Sequence, residues 1–184
     1  MVVESRLEPT KHGLVPKGDG WFVLNAREAR WLHTPGRSAI CEFEGYLEDE
    51  QDFLQLGINL SVLQPGESMG MYHWEADQED FLVLSGEALL IVEGEERGLR
   101  QWDLVHCPPG TKHIIVGAGE APCLVLAVGA REHQNTPDWG GYSVDGAALR
   151  HGAGVEQETT DAKEAYAGLA RREPARYREG WLPE

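Results

Sequence analysis

The chain has 184 residues, 41% hydrophobic and 26% charged, an ordinary composition for a globular domain able to bury its own core. A net charge of −15 repels phosphate backbones and argues against nucleic-acid binding. No apolar run reaches the roughly 18 residues of a membrane-spanning helix, and residues 1–20 lack a basic stretch followed by an apolar one, so the expectation is a cytoplasmic protein without a membrane partner.

In chain order, residues 1–20 are polar and rich in Pro and Gly, and read as an N-terminal arm. Strand-like text follows at 21–25, 29–33, 39–45 and 53–64, with 26–30 open to a helical turn. In 53–64, Leu54, Leu56, Ile58, Leu60 and Val62 share one parity, the pattern of a strand with one buried face. From 65 to 122 turn signals recur every few residues, at PGE, ADQ, SGE, EGE, PPGT and GAGEAP. The segments between them (EDFLVL, EALLIVE, WDLVHC, KHIIVG, CLVLAVG) read as strands, a rhythm that predicts an all-β sandwich or barrel over 21–130. Glu93–Gly94 predicts a tight hairpin, and Pro108–Pro109–Gly110 a sharp corner. Residues 131–184 are loop-rich, with one helix predicted from Asp161 as N-cap and Glu164 three residues on. Tyr177 and Trp181 need a surface, so 131–184 reads as an extension packed on the barrel or on a partner subunit. The acidic runs at Glu48–Asp49–Glu50, Asp52 and Glu93–Glu95–Glu96 read as solvated surface. Cys41, Cys107 and Cys123 are few and widely spaced, and read as buried free thiols.

The chemistry concentrates in YHWEADQEDFLVLSG (72–86) and PPGTKH (108–113). Strand residues two apart share a face, so Met71, His73 and Glu75 point together, as do Glu79 and Phe81, and His113 with Ile115. If that face is the barrel interior, two carboxylates and two imidazoles meet among apolar side chains. Carboxylates so placed need a partner and repel each other, and a divalent cation resolves both problems. The metal-free alternative is a hydrogen-bonded cluster of the same four residues, or an outward Glu75. His106, on the strand entering the corner, is a candidate to line the pocket and orient a ligand, or else simply packs.

These segments resemble the two short motifs of the cupin superfamily. His73, Glu79 and Gly86 match the first at its spacing; Pro108, Gly110 and His113 match the second, and Pro65–Gly66 resembles the usual lead-in. Three positions depart: Glu75 replaces the second histidine, Trp102 replaces an opening glycine, and Gly117 replaces an asparagine. The resemblance implies an all-β double-stranded β-helix (jelly-roll) barrel, commonly a homodimer, with one divalent metal in its mouth. The expected ligands are His73, Glu75, Glu79 and His113, with iron, manganese or zinc as the ion. Glu75 is alternatively the general base, and Met71, Phe81, His106 and Ile115 are expected to line the pocket. The expected function is that of a metal-dependent enzyme, dioxygenase or isomerase in type, acting on a small oxygenated molecule. The alternative is a non-catalytic small-molecule binding or sensing protein.

Overall fold

Short alternating segments joined by Gly-containing turns build two antiparallel sheets. The computed structural model describes residues 1–18, 20–43, 53 and 55–184. The acidic cluster at 48–50 and 52, Leu54, and the end of the strand expected over 39–45 lie outside the described residues. The strands are β1 (Arg6–Thr10), β2 (Gly13–Lys17), β3 (Trp31–Thr34), β4 (Arg37–Glu42), β5 (Leu56–Leu63), β6 (His73–Glu75) and β7 (Glu79–Ser85). They continue as β8 (Glu87–Val92), β9 (Glu95–Arg100), β10 (Leu104–Cys107), β11 (His113–Ala118), β12 (Cys123–Ala130), β13 (Gly140–Tyr142) and β14 (Glu173–Ala175). Two short helices, α1 (Gly146–Arg150) and α2 (Ala162–Ala165), precede β14.

One sheet has the order β10-β7-β12-β5-β4-β3-β14 and the other β13-β6-β11-β8-β9. The main core lies between them: Leu63, Phe81, Val83, Val105 and Val125 from the first sheet meet Leu90 and Ile115 from the second. The β8–β9 hairpin turns at Glu93 and Gly94, both at positive φ (49° and 81°), as a two-residue connection requires. β9 itself was not legible as a strand, because its residues are polar and nearly all exposed.

The apolar parity of β5 does not face this core. Val62, with Leu60 beside it, belongs to a second cluster with Trp31, Cys41, Leu124 and Trp181 on the outer side of the first sheet. The opposite parity, Gly57 and Asn59, faces a cavity at the barrel mouth. Residues after 130 supply the outer cover. Trp181 packs on Trp31 with ring centroids 4.9 Å apart, and β14 pairs with β3. Ala147 and Ala148 of α1 close over Ile91, Ile114 and Tyr72 on the outer side of the second sheet.

Other local expectations need revision. Residues 1–20 include the β1–β2 hairpin, with Val15 buried, rather than a bare polar arm. Residues 21–25 form only a bridge from Trp21 to Glu4, and 26–28 form a turn. The helix capped by Asp161 is a single turn, and Leu169 lies beyond it, exposed. All three cysteines are buried and, among the described residues, none forms a disulfide.

Burying Trp181 on Trp31 is the principal apolar contact that ties the C-terminal residues to the sheet. Trp181→Ala is expected to lower the unfolding free energy by about 3–5 kcal/mol in urea denaturation. An unchanged midpoint would show that these residues are not part of the cooperative unit.

Candidate metal centre

The site is assembled from both sheets. His73 in β6 and His113 in β11 are direct cross-strand partners, which places their rings side by side with centroids 5.0 Å apart. Glu79 opens β7 in the other sheet, in register with Gly129 of β12 and Cys107 of β10. The Pro108–Gly110 corner delivers His113: Gly110, at φ +85°, donates its N–H to the Glu75 carbonyl at 2.7 Å. Phe81 packs on His113 at 5.2 Å between ring centroids, and Ile115 lies in the same core.

Each imidazole is fixed by its Nδ1. His73 Nδ1 donates to the Met71 carbonyl at 2.8 Å and His113 Nδ1 to the Thr111 carbonyl at 3.0 Å. A carbonyl only accepts, so both Nδ1 atoms carry hydrogen and, in the neutral rings, both Nε2 atoms present lone pairs. Those lone pairs converge on a carboxylate oxygen, not on a donor. Glu79 Oε2 lies 3.4 Å from His113 Nε2 and 3.6 Å from His73 Nε2. One ligand atom from each of the three residues lies within 4.8 Å of the others. His113 is 2% exposed and the Glu79 side chain 16%. Glu79 Oε2 and His113 Nε2 are buried with no hydrogen-bond partner among the described residues. An unpaired buried acceptor costs about 1–3 kcal/mol, so two facing acceptors are a conflict that a cation removes. The donor set, two imidazole nitrogens and one carboxylate, fits a divalent transition metal.

Protonation follows the same logic. Burial pushes Glu79 up to about 7, with the charges of Glu75 and Asp77 adding and His73 opposing. Burial also pushes His113 down to about 4, reinforced by His73. For His73, burial lowers the pKa, but Glu75 and Glu79 outweigh it and the net direction is up. A proton beside Glu79 is therefore the substitute for a cation near neutral pH.

Glu75 stands one step out. Its Oε1 is 3.6 Å from His73 Nε2 and its side chain is 30% exposed, but it does not join the three residues whose ligand atoms all meet within 4.8 Å. Two pocket assignments are corrected. His106 is on the outward parity of β10, 54% exposed, with Nδ1 2.7 Å from Asp80 Oδ1, because β10 turns Val105 and Cys107 inward. Met71 precedes β6 and is buried with Tyr142, Val155 and Ala165 behind the mouth, instead of lining it. Cys107, although in register with Glu79, has its thiol pushed up to about 12 by burial and nearby carboxylates, and offers no thiolate.

The motif departures have local causes. Trp102 keeps the glycine-like backbone, at φ +75°, with its side chain exposed. At Gly117 a Cβ would meet the Gln64 carbonyl oxygen at 2.3 Å, so no side chain fits there. Sequence reasoning missed Asn59, Asp77, Gln134, Trp139 and Tyr142 around the mouth. For Asp77 a signal existed, its shared parity with Glu75 and Glu79; the aromatic pair lies in a loop and a three-residue strand with no periodicity to read.

No curated protein matches the chain. Among solved structures, a provisionally named sugar phosphate isomerase of Acidithiobacillus ferrooxidans is 27% identical (TM-score 0.44), the match covering 53% of this chain and 62% of that one. A sugar phosphate isomerase from a cupin superfamily of Silicibacter pomeroyi is also 27% identical (TM-score 0.44), covering 55% of this chain and 70% of that one. A polyketide cyclase of Streptomyces resistomycificus shares 15% identity over 61% of this chain and 80% of its own, with a TM-score of 0.50, a likeness of fold. Residues 59–129, which contain His73, Glu79 and His113 between the two sheets, match the cupin domain model.

Proposed function

We propose that this chain is a metal-dependent enzyme acting on a small oxygenated organic molecule, with isomerase or dioxygenase chemistry. The observation that carries this is the pair of buried acceptors, Glu79 Oε2 and His113 Nε2, facing each other at 3.4 Å and without a hydrogen-bond partner among the described residues. His73, Glu79 and His113 would hold one divalent ion (iron, manganese or zinc). When bound, such an ion supplies Lewis acidity toward substrate oxygens.

The chain's own residues set up the rest. The backbone carbonyls of Met71 and Thr111 lock both rings in the tautomer that aims Nε2 at the site. Phe81 and Ile115 close the core side to water. Glu75 is half-buried and 3.6 Å from His73 Nε2, placed to take a proton from a bound substrate and return it. The cavity beyond it measures about 500 Å³, the size of a small-molecule site.

His113→Ala is expected to weaken binding of zinc or manganese at least about tenfold in calorimetry, whereas Glu75→Gln keeps the ion and loses turnover. Wild-type affinity in His113→Ala would overturn the ligand assignment. Loss of the ion in Glu75→Gln would make Glu75 a fourth ligand rather than the base.

Affinity for the ion is expected to rise with pH. Glu79, with its pKa pushed up to about 7, holds a proton below that value, and the ion must displace it. Titrations at pH 6 and pH 8 should therefore differ by at least about tenfold, tighter at pH 8, with protons released from both Glu79 and His73 at pH 6. Equal affinities would contradict the assignment of Glu79.

A further inference from the structure

The two histidines at the centre are held by different parts of the chain. His113 Nδ1 donates to the Thr111 carbonyl, and Thr111 is itself tied to the Pro108 carbonyl by its backbone nitrogen at 3.1 Å and its hydroxyl at 2.8 Å. That support lies inside residues 59–129. His73 Nδ1 donates to the Met71 carbonyl at 2.8 Å, and Met71 is held by residues from outside that range.

The peptide between Met71 and Tyr72 carries the carbonyl that receives His73. Its N–H, on Tyr72, donates to the Ala153 carbonyl at 2.6 Å. The preceding peptide presents the Met71 N–H to the Tyr166 hydroxyl at 3.2 Å. Met71 is 5% exposed and Tyr72 1%, so water is no substitute partner for either group. Two residues earlier, the Met69 carbonyl accepts from Arg172 at 2.8 Å. The strand follows the same rule. Among the described residues β6 pairs with β11 only at His73 and His113, whereas Glu75, Trp74 and His73 pair in turn with Gly140, Gly141 and Tyr142 of β13.

Tyr166 is built into place for this contact. It caps the single turn of α2, with its own N–H on the Ala162 carbonyl at 3.0 Å. Its ring stands at 90° to that of Tyr142 with centroids 5.8 Å apart, and the Arg37 guanidinium lies 5.1 Å over it. The hydroxyl comes so close to Gly70 that a Cβ there would meet it at 2.7 Å. Only a residue without a side chain leaves room at that point for a tyrosine 95 positions later.

We propose that Tyr166 is a positioning residue for His73: its hydroxyl fixes Met71, and through Met71 the orientation of the imidazole at the metal centre. Residues beyond 129 thereby complete a site whose other imidazole is supported within 59–129. This role rests on the metal-centre reading for the ion, whereas the hydrogen bonds that define it do not.

The test uses full-length protein as wild type, Tyr166→Phe and Gly70→Ala. Tyr166→Phe keeps the ring against Tyr142 and deletes the acceptor. Gly70→Ala keeps the tyrosine and pushes its hydroxyl away without opening a cavity, and it carries both measurements if Tyr166→Phe does not fold in urea denaturation. In metal-free protein, proton–nitrogen NMR follows the Nδ1–H resonances of His73 and His113, the second serving as internal reference. Both variants should displace or broaden the His73 signal and leave that of His113 in place. Calorimetry with manganese alone should show about tenfold weaker affinity in both, the lower end for a group that orients a ligand. A wild-type His73 signal in the folded variants, equal displacement of both rings, or wild-type manganese affinity overturns the role of Tyr166. If the wild type takes up no manganese, zinc or iron, the metal centre itself is overturned, and the two ring resonances still decide whether Tyr166 positions His73.

Discussion

The structure depends on one electrostatic conflict. Three buried or half-buried side chains, His73, Glu79 and His113, bring ligand atoms within 4.8 Å of one another, and among the described residues Glu79 Oε2 and His113 Nε2 have no hydrogen-bond partner. A fold that needed only stability would place apolar groups there, since desolvating unpaired acceptors costs more than it returns. The two sheets instead hold the conflict in place: cross-strand pairing fixes the histidines, the opposite sheet fixes Glu79, and two backbone carbonyls fix the tautomers.

The rest of the chain can be ordered by distance from that point. Phe81, Val83, Ile115 and Val125 fill the space between the sheets and keep water out from below. The turn at 76–78 separates Glu75 from Glu79 and also anchors the segment from 131 to 139, so a single short turn spaces the carboxylates and shapes the mouth. The C-terminal residues act from outside: Trp181 and α1 cover the outer faces of the two sheets, which would otherwise expose Trp31, Ile91 and Ile114.

Much of the centre was legible in sequence because strand parity and turn chemistry are local. Strand parity assigned His73, Glu79 and His113 their faces and the motif resemblance implied that those faces converge, and the Gly residues at 86, 94 and 110 sit at positive φ where turns were read. What escaped was set by tertiary context. The apolar parity of β5 marks a buried face correctly but cannot say which, and it is the outer one, covered by Trp31 and Trp181. His106 has the residue type of a ligand, yet its strand turns Val105 and Cys107 inward and leaves it outside with Asp80. Met71 shares parity with His73 in sequence, but the strand begins only at His73, so the alternation does not extend back to it. Trp139 and Tyr142 reach the mouth through long-range bonds to the 76–78 turn and to Thr160, which no periodicity encodes.

The central claim is that the three acceptors exist to share a cation. Elemental analysis of the protein, as purified and after dialysis against iron, manganese or zinc, tests it most directly. The expected result is close to one equivalent of a single divalent metal per chain. Less than about a tenth of an equivalent, not raised by dialysis against any of the three, would contradict it.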